Sequence, residues 1–167
     1  MAQKQSAGIL LYRRRGQTVE VFLVHPGGPF WSKKDTGAWS IPKGETEPNE
    51  ELLAAAKREF TEEVGLPTPA GDFIDLGGFK RKDGKQIFAW AVEGDLDAAK
   101  VVSNSFEMEW PPRSGQQQSF PEIDKAAWFN LTTCAPKLHK GQALFMERLA
   151  EKLQLQVQAP PEQQSLL

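Results

Sequence analysis

Residues 44–66 read GETEPNEELLAAAKREFTEEVGL, and this stretch predicts an amphipathic helix. Pro48 suits the first turn of a helix, and Gly65 suits the position just after the last turn. The spacing therefore predicts a helix over about residues 48–64. Apolar residues recur along it at i+3 and i+4 steps, and the stripe that they form is expected to face a core. The members of the stripe are Leu53, Ala56, Phe60 and Val64, with Leu52 at its flank.

Three glutamates lie at the edge of that apolar face. An α-helix advances about 100° per residue, so Glu59, Glu62 and Glu63 fall within an arc of about 100°. Like charges at this spacing destabilise an isolated helix by roughly 0.2–0.5 kcal/mol per pair. The three groups either form a solvated acidic surface or hold a divalent cation between them. Their position favours the cation, because Mg²⁺ binds one or two carboxylates together with waters and substrate phosphates.

All the fixed positions of a known motif are present in this stretch. They are Gly44, Glu50, Arg58, Glu59, Phe60, Glu62, Glu63, Gly65 and Leu66. With them the stretch resembles the Nudix box, G-x5-E-x7-R-E-U-x-E-E-x-G-U, where U is apolar. The resemblance implies a Nudix hydrolase fold of the α+β class, an α-β-α sandwich with a mixed central β-sheet between helices. It also implies a loop–helix–loop that holds Mg²⁺, or Mn²⁺ in its place, beside a substrate diphosphate.

The resemblance implies roles for individual residues as well. It gives the metal ligands as the Gly44 carbonyl, Glu59, Glu62 and Glu63, with Glu62 acting directly or through water. It gives the catalytic set as Arg58, Glu62, Glu63 and Glu122. Arg58 is expected to orient a metal-binding glutamate, and Glu50 to support the helix start. Glu122 is assigned by its order along the chain, because many Nudix proteins supply an acidic residue from a loop near this point. The alternative for Glu122 is a glutamate that bonds to its own turn.

Residues that bind substrate are expected on both sides of the box. Lys43 follows a proline next to the acidic cluster, where an ammonium group can offset phosphate charge. Residues 106–115, FEMEWPPRSG, alternate apolar and acidic side chains before a diproline that stiffens the chain. In this segment we predict that Arg113 contacts a phosphate and that Trp110 stacks on a nucleobase. The alternative for Trp110 is packing against the core.

A glycine-broken loop at residues 25–31, HPGGPFW, offers two further aromatic side chains. Phe30 or Trp31 could stack on a base, or cover the core instead. Together with residues 106–115, this loop resembles a bacterial Nudix branch of predicted nucleoside triphosphate pyrophosphohydrolases.

Length and composition limit the architecture. The chain has 167 residues, 40% of them hydrophobic and 25% charged, which suits a single domain over residues 1–155. Residues 156–167 are rich in Gln and Pro, and we expect a flexible tail there. The single cysteine, Cys134, is interpreted as a small core residue. The net charge of −2 argues against a duplex nucleic acid as partner. No signal peptide or membrane span is recognisable, so we expect a cytoplasmic protein, and a homodimer stays open.

Alternating apolar patterns and turn residues predict the remaining elements. Asp83 and Gly84 between two β-rich runs are a strong hairpin signal. The predicted elements are paired strands at 6–12 and 19–25, a hairpin at 72–81 and 86–92, a short strand at 126–130, and a second amphipathic helix at 137–153.

The expected activity is hydrolysis of a phosphoanhydride bond in a nucleoside di- or polyphosphate linked to another group X. Because Lys43 and Arg113 supply cations beyond the metal, we expect a nucleoside triphosphate or a dinucleoside polyphosphate as the substrate. Three alternatives stay open: a noncatalytic Nudix domain that senses a nucleotide, a nucleotide-sugar pyrophosphatase of the ADP-ribose type, and an isoprenoid diphosphate isomerase on the same fold. The isomerase chemistry depends on a cysteine, whereas Cys134 is far from the box in sequence.

Overall fold

The computed structural model describes residues 4–155. In chain order the elements are β1 (Gln5–Arg15), β2 (Thr18–Pro26), β3 (Lys43–Glu45), α1 (Leu52–Val64), β4 (Ile74–Lys80), β5 (Gln86–Glu93), β6 (Ser105–Glu109), β7 (Gln117–Pro121), β8 (Ile123–Asn130) and α2 (Ala143–Lys152). Short 3₁₀ helices form at Ala98–Lys100 and Ala135–Lys137. The tail predicted at residues 156–167 lies outside the described residues.

A mixed six-stranded sheet is the centre of the fold. Its strand order is β4-β5-β1-β2-β8, and β3 pairs with β1 beside this path. Strand β1 runs parallel to β5 and antiparallel to β2 and β3. Strands β6 and β7 form a separate antiparallel hairpin. The short β3 therefore places the start of the box directly against the central strand.

The sheet lies between the two helices. Both faces of β1 are therefore buried. Ala7, Ile9 and Leu11 belong to a core cluster with the α1 residues Phe60 and Val64. On the opposite face, Leu10 and Tyr12 belong to a second cluster. That second cluster includes Phe145, Met146 and Leu149 of α2. Alternate side chains of a strand point to opposite faces, so one strand supplies both cores of the predicted α-β-α sandwich.

Helix α1 begins later than the sequence predicts. It starts at Leu52, so Pro48 does not occupy its first turn. Asn49 has a φ of 64°, which interrupts a helix at that point, and the Glu50 amide donates to the Glu47 carbonyl. The predicted end is confirmed, since Gly65 has a φ of 78° and its amide donates to the Thr61 carbonyl.

Two other elements begin elsewhere than the sequence predicts, and one hairpin was not predicted. Helix α2 begins at Ala143 rather than near residue 137, because Gly141 has a φ of 87° and separates it from the preceding 3₁₀ helix. Strand β8 begins at Ile123 and is longer than the predicted strand at 126–130. The β6–β7 hairpin was not predicted, and its first strand occupies part of the segment at 106–115.

The other predicted strands form, although β1 extends to Arg15 and β4 begins at Ile74 rather than at residue 72. The β4–β5 hairpin forms around Asp83 and Gly84, and the Lys85 amide donates to Asp83 Oδ1 at 3.0 Å. Cys134 is buried, as predicted, and burial raises the pKa of its thiol to about 11. Within residues 4–155, none of the helices is long and apolar enough to cross a membrane.

Candidate active site

Strand β3 and helix α1 bring the first glycine of the box against a glutamate of the helix. Gly44 pairs with Ala7 of β1, which fixes its backbone in the sheet. A Cβ atom added to Gly44 would lie 2.1 Å from both Cδ and Oε2 of Glu59. Atoms cannot approach so closely, so a side chain at position 44 would displace the Glu59 carboxylate. Position 44 therefore requires glycine because any side chain would collide with Glu59, and not because of its backbone conformation.

Arg58 holds two carboxylates in place around this contact. Its Nε and Nη2 donate to the two oxygens of Glu50 at 2.8 and 2.9 Å, a bidentate pair. Its Nη1 donates to Glu59 Oε1 at 2.9 Å, and Nη2 also donates to the Glu45 carbonyl at 3.1 Å. The hydrogen bond from Arg58 lowers the pKa of Glu50 to about 2. Arg58 thus positions Glu59 from the start of the box.

Glu62 lies on the solvent side of the same network. Its side chain is 48% exposed, and its Oε2 is 3.3 Å from Arg58 Nη1. Two residues of the cluster, Glu59 and Glu63, are partly buried instead. The three glutamates are therefore not equivalent, because Arg58 binds Glu62 and Glu59 but makes no contact with Glu63 in the described part of the chain.

Glu63 is the carboxylate with the most strongly perturbed proton affinity. Its Oε2 accepts a hydrogen bond from the Lys43 amide at 3.2 Å. Burial raises the pKa of Glu63 to about 8, and the charges of Glu59 and Glu122 act in the same direction. Burial also raises the pKa of Glu59. Glu59 and Glu63 are thus partly buried carboxylates one helical turn apart. The positive charge around them does not offset the cost of ionising both.

Lys43 and Glu122 face Glu63 across one pocket. The pocket has a volume of about 230 Å³, and both residues line it together with Glu63. Glu122 is fixed by its backbone, since its amide donates to Asn104 and its carbonyl accepts from Gly27, each at 2.8 Å. Burial lowers the pKa of the Lys43 ammonium group, and nearby Lys85 adds to this effect. The structure thus brings together Lys43, Glu63 and Glu122, with Glu59 alongside.

A family model described as the NUDIX domain matches residues 2–149. The chain belongs to the NUDIX domain family. Over 71 residues this Nudix protein is 32% identical to an RNA pyrophosphohydrolase from Erythrobacter litoralis (strain HTCC2594). The match covers 42% of the chain and 39% of that relative, so the chain spans well under half of the relative's length.

Two solved structures share the Nudix fold. A C. elegans Ap4A hydrolase in a binary complex has a TM-score of 0.61 at 17% identity, covering 89% of this chain and 98% of that one. The NUDIX domain of Shewanella oneidensis NrtR complexed with ADP ribose has a TM-score of 0.60 at 17% identity, covering 92% and 90%. Identities this low show the fold alone, and they confirm the predicted α-β-α sandwich.

The structure places Trp110 and Arg113 outside the pocket of this Nudix protein. The Trp110 ring is edge-on to Phe30, with 5.4 Å between ring centroids. Arg113 is exposed in the turn between β6 and β7, with a φ of 61°. The hairpin itself packs on the loop that leads to the pocket, since a Cβ on Gly28 would lie 2.9 Å from the Phe106 ring. Substrate binding by Trp110 and Arg113 stays a prediction.

His139 lines the pocket, and sequence reasoning missed it. Its amide donates to the Trp39 carbonyl at 2.7 Å, and its ring is 6.2 Å from that of Trp31, another lining residue. Burial lowers the pKa of His139, and the charges of Lys43, Arg81 and Lys140 act in the same direction. The pairing of residue 139 with residue 39 is a tertiary contact, for which no local sequence signal exists.

The donor atoms at this site suit a hard divalent cation. Gly44, Glu59 and Glu63 offer carboxylate and main-chain oxygens, which are the ligands that Mg²⁺ prefers. Within residues 4–155, no three acidic, histidine or cysteine side chains are grouped closely enough to hold an ion by themselves. Mg²⁺ is commonly held by one or two carboxylates with waters and substrate phosphates, so two partly buried glutamates are sufficient. The roles of these residues stay predictions.

Proposed function

We propose that this Nudix protein is a metal-dependent hydrolase that cleaves a phosphoanhydride bond in a nucleoside di- or polyphosphate linked to X. A nucleoside triphosphate or a dinucleoside polyphosphate is the preferred substrate. The observation that carries the proposal is the pair Glu59 and Glu63, which lie one helical turn apart beside a pocket that Lys43 and Glu122 also line. The Glu59 carboxylate packs against Gly44, and Glu63 accepts a hydrogen bond from the Lys43 amide.

Each of these residues has a chemical task in such a reaction. A bound divalent cation would neutralise phosphate charge and lower the pKa of a water molecule. Glu59, Glu63 and the Gly44 carbonyl would hold it, with Glu62 acting directly or through water. Glu122 lines the same pocket and is the candidate general base. Arg58 acts through Glu59 and is a positioning residue.

The preference for a longer phosphate chain rests on the cation that lines the pocket. Lys43 supplies an ammonium group where phosphates would lie, and the predicted contact from Arg113 would add another. The partial match to an RNA pyrophosphohydrolase supports a substrate with a phosphoanhydride bond. The nucleotide-sugar pyrophosphatase and the nucleotide sensor remain the alternatives.

The proposal includes the cofactor, the partner and the location. Mg²⁺ is the proposed cofactor, with Mn²⁺ as a substitute, and the partner is a small nucleotide rather than a duplex nucleic acid. The domain comprises residues 1–155, and the protein acts in the cytoplasm. A homodimer stays open.

A nucleotide panel with a matched pair of variants tests this function. The purified protein is assayed with Mg²⁺ on diadenosine tetraphosphate, a nucleoside triphosphate and ADP-ribose, with product release as the readout. We expect EDTA to abolish turnover and Glu63→Gln to lower kcat by about 100-fold or more. Glu147→Gln, on the exposed side of α2, is the control and should leave kcat unchanged.

The same panel decides between the alternatives. A higher kcat/KM for ADP-ribose than for the two polyphosphates would assign the protein to the nucleotide-sugar pyrophosphatases. Nucleotide binding by calorimetry without turnover of any substrate would assign it to the sensors. Full activity of Glu63→Gln would overturn the metal site proposed here.

A further inference from the structure

A positively charged cleft lies beside the candidate active site. The β4–β5 turn and the loop before α2 enclose a cleft of about 430 Å³. Its lining residues are Phe79, Lys80, Arg81, Lys82, Asp83, Lys140 and Gly141. Four of these side chains are cationic and one is a carboxylate, although the whole chain has a net charge of −2. The excess of positive charge is therefore local and needs an explanation.

The two walls of the cleft are held in place by packing and hydrogen bonds. A Cβ on Gly141 would lie 2.5 Å from the Phe79 ring, so the loop that carries Lys140 lies directly on the end of β4. On the other wall, Arg81 Nη2 is 3.1 Å from Asp83 Oδ2, and the Arg81 amide donates to the Lys85 carbonyl at 2.8 Å. The cleft is thus built from two anchored segments rather than from unsupported side chains.

The cleft is next to the pocket that Lys43 and Glu63 line, since neighbouring residues of one loop line the two cavities. His139 lines that pocket, and the next residue, Lys140, lines the cleft. Arg81 is also close to the box, because its amide donates to the carbonyl of Lys85, whose Nζ is 3.7 Å from Glu45 Oε1 of β3. The β4–β5 turn therefore lies beside the strand that carries Lys43 and Gly44, so an anion bound in the pocket can extend toward the cleft.

Most cations of the cleft are available to a ligand. Arg81 pairs with Asp83, and neighbouring Lys85 lies 3.7 Å from Glu45. Within residues 4–155, Lys80, Lys82 and Lys140 form no salt bridge. Lysine ammonium groups bind phosphate as point charges. Several of them on flexible side chains therefore suit a flexible phosphate chain.

We propose that this cleft is a subsite for the phosphates of the substrate that lie beyond those bound at Lys43. The preferred substrate accordingly carries a chain of three or more phosphates, whose far end contacts Lys140. The inference deepens the proposed function and rests on it for the identity of the ligand as substrate. The existence of the anion site itself can be tested without turnover.

Calorimetry with inorganic tripolyphosphate in EDTA tests the anion site, because no metal or nucleoside is then involved. Lys140→Ala should weaken tripolyphosphate binding by about fivefold or more, and Lys140→Glu should weaken it further. Lys100→Ala is the matched control, because Lys100 is an exposed lysine that does not line the cleft. This variant should bind tripolyphosphate like the natural protein. Raising the salt concentration should weaken binding in the control and have less effect in Lys140→Ala. Equal affinity in all variants would overturn the subsite.

A second measurement separates this inference from the proposed function. In steady-state kinetics, Lys140→Ala should lower kcat/KM for a dinucleoside tetraphosphate and leave that for ADP-ribose unchanged. Turnover of all substrates without any effect of Lys140→Ala on binding or chain-length preference would overturn the subsite and leave the hydrolase proposal intact. Lys140-dependent tripolyphosphate binding without turnover of any substrate would support the anion site and overturn the hydrolase proposal.

The cleft could instead follow the backbone of a single-stranded RNA. Binding of a 5′-monophosphorylated RNA oligonucleotide is therefore measured alongside tripolyphosphate. A loss in Lys140→Ala that is confined to the oligonucleotide would overturn the proposal in favour of an RNA-binding surface. A loss of tripolyphosphate binding, with or without a loss of RNA binding, supports the subsite.

Discussion

The raised pKa of Glu63 makes the stability of the metal-free protein depend on pH. The ordinary pKa of a glutamate is 4.5, and burial raises that of Glu63 to about 8. Between these values the folded protein keeps a proton that the unfolded chain has released, so the free energy of unfolding falls as pH rises. Integrated from pH 5 to pH 8, this single group removes about 3 kcal/mol. Glu63→Gln cannot ionise and should abolish that loss.

Urea unfolding in EDTA at pH 5, 6, 7 and 8 measures this effect. We expect the unfolding free energy of the natural protein to fall with pH relative to that of Glu63→Gln, by about 3 kcal/mol over this range. The lowered pKa of His139 contributes a slope of the opposite sign. That slope is present in both proteins and cancels in their difference. Glu147→Gln should behave like the natural protein.

Metal should reverse the trend, because a cation that binds Glu63 competes with its proton. In saturating Mg²⁺ the natural protein should become more stable as pH rises from 6 to 8, whereas Glu63→Gln should respond weakly. Parallel stability curves for the two proteins in EDTA would refute the burial of Glu63 as the cause. A fall of the same size in Glu63→Gln would assign the pH dependence to another group, such as Glu59, whose pKa burial also raises.

Three further outcomes follow from contacts described above. Gly44→Ala places a Cβ 2.1 Å from the Glu59 carboxylate, so Mg²⁺ titrations of activity should show an affinity at least about tenfold weaker, with kcat lowered as well. Trp110→Ala should cost about 1–3 kcal/mol in kcat/KM for a nucleotide if the ring stacks on a base. A lower Tm with equal losses on inorganic tripolyphosphate would instead assign Trp110 to packing on Phe30. Cys134, whose thiol pKa is about 11, should react with thiol reagents in urea and resist them in the folded protein.

The parts of the site that the sequence predicts are those set by local spacing. Glu59 and Glu63 share a helix edge because residues four apart are neighbours on any α-helix. The end of α1 follows from Gly65, which adopts a left-handed conformation without strain. The helix start could not be read in the same way, because Pro48 and Asn49 form a turn that the Arg58–Glu50 pair helps to fix.

The parts that the sequence did not predict depend on tertiary pairing. Strand β7 has the sequence QQSFP, which lacks the alternating apolar pattern typical of a strand. It forms by pairing with β6, where Phe120 lies opposite Phe106. His139 enters the pocket because its amide bonds to Trp39, one hundred residues earlier in the chain. The buried Gln142 secures this arrangement by accepting from the Ile41 amide at 3.0 Å. Such contacts join segments that are distant in sequence, and the local pattern of one segment does not predict its pairing with the other.

Lys43 contacts Glu63 at the acidic edge of α1, and it also experiences the positive charges of Lys85 and Arg81. Its ammonium group is stabilised by Glu63 and Glu59 and destabilised by burial, Lys85 and Arg81. A cation bound to the two glutamates would remove the charges that compensate Lys43. Phosphates in the pocket would then supply the missing negative charge to Lys43, to the metal and to the cleft at once. Metal and phosphate binding are therefore expected to strengthen each other, by the same factor in either order of addition. The adjacency of carboxylates and lysines at this site thus favours the complex that holds both ligands over either ligand alone.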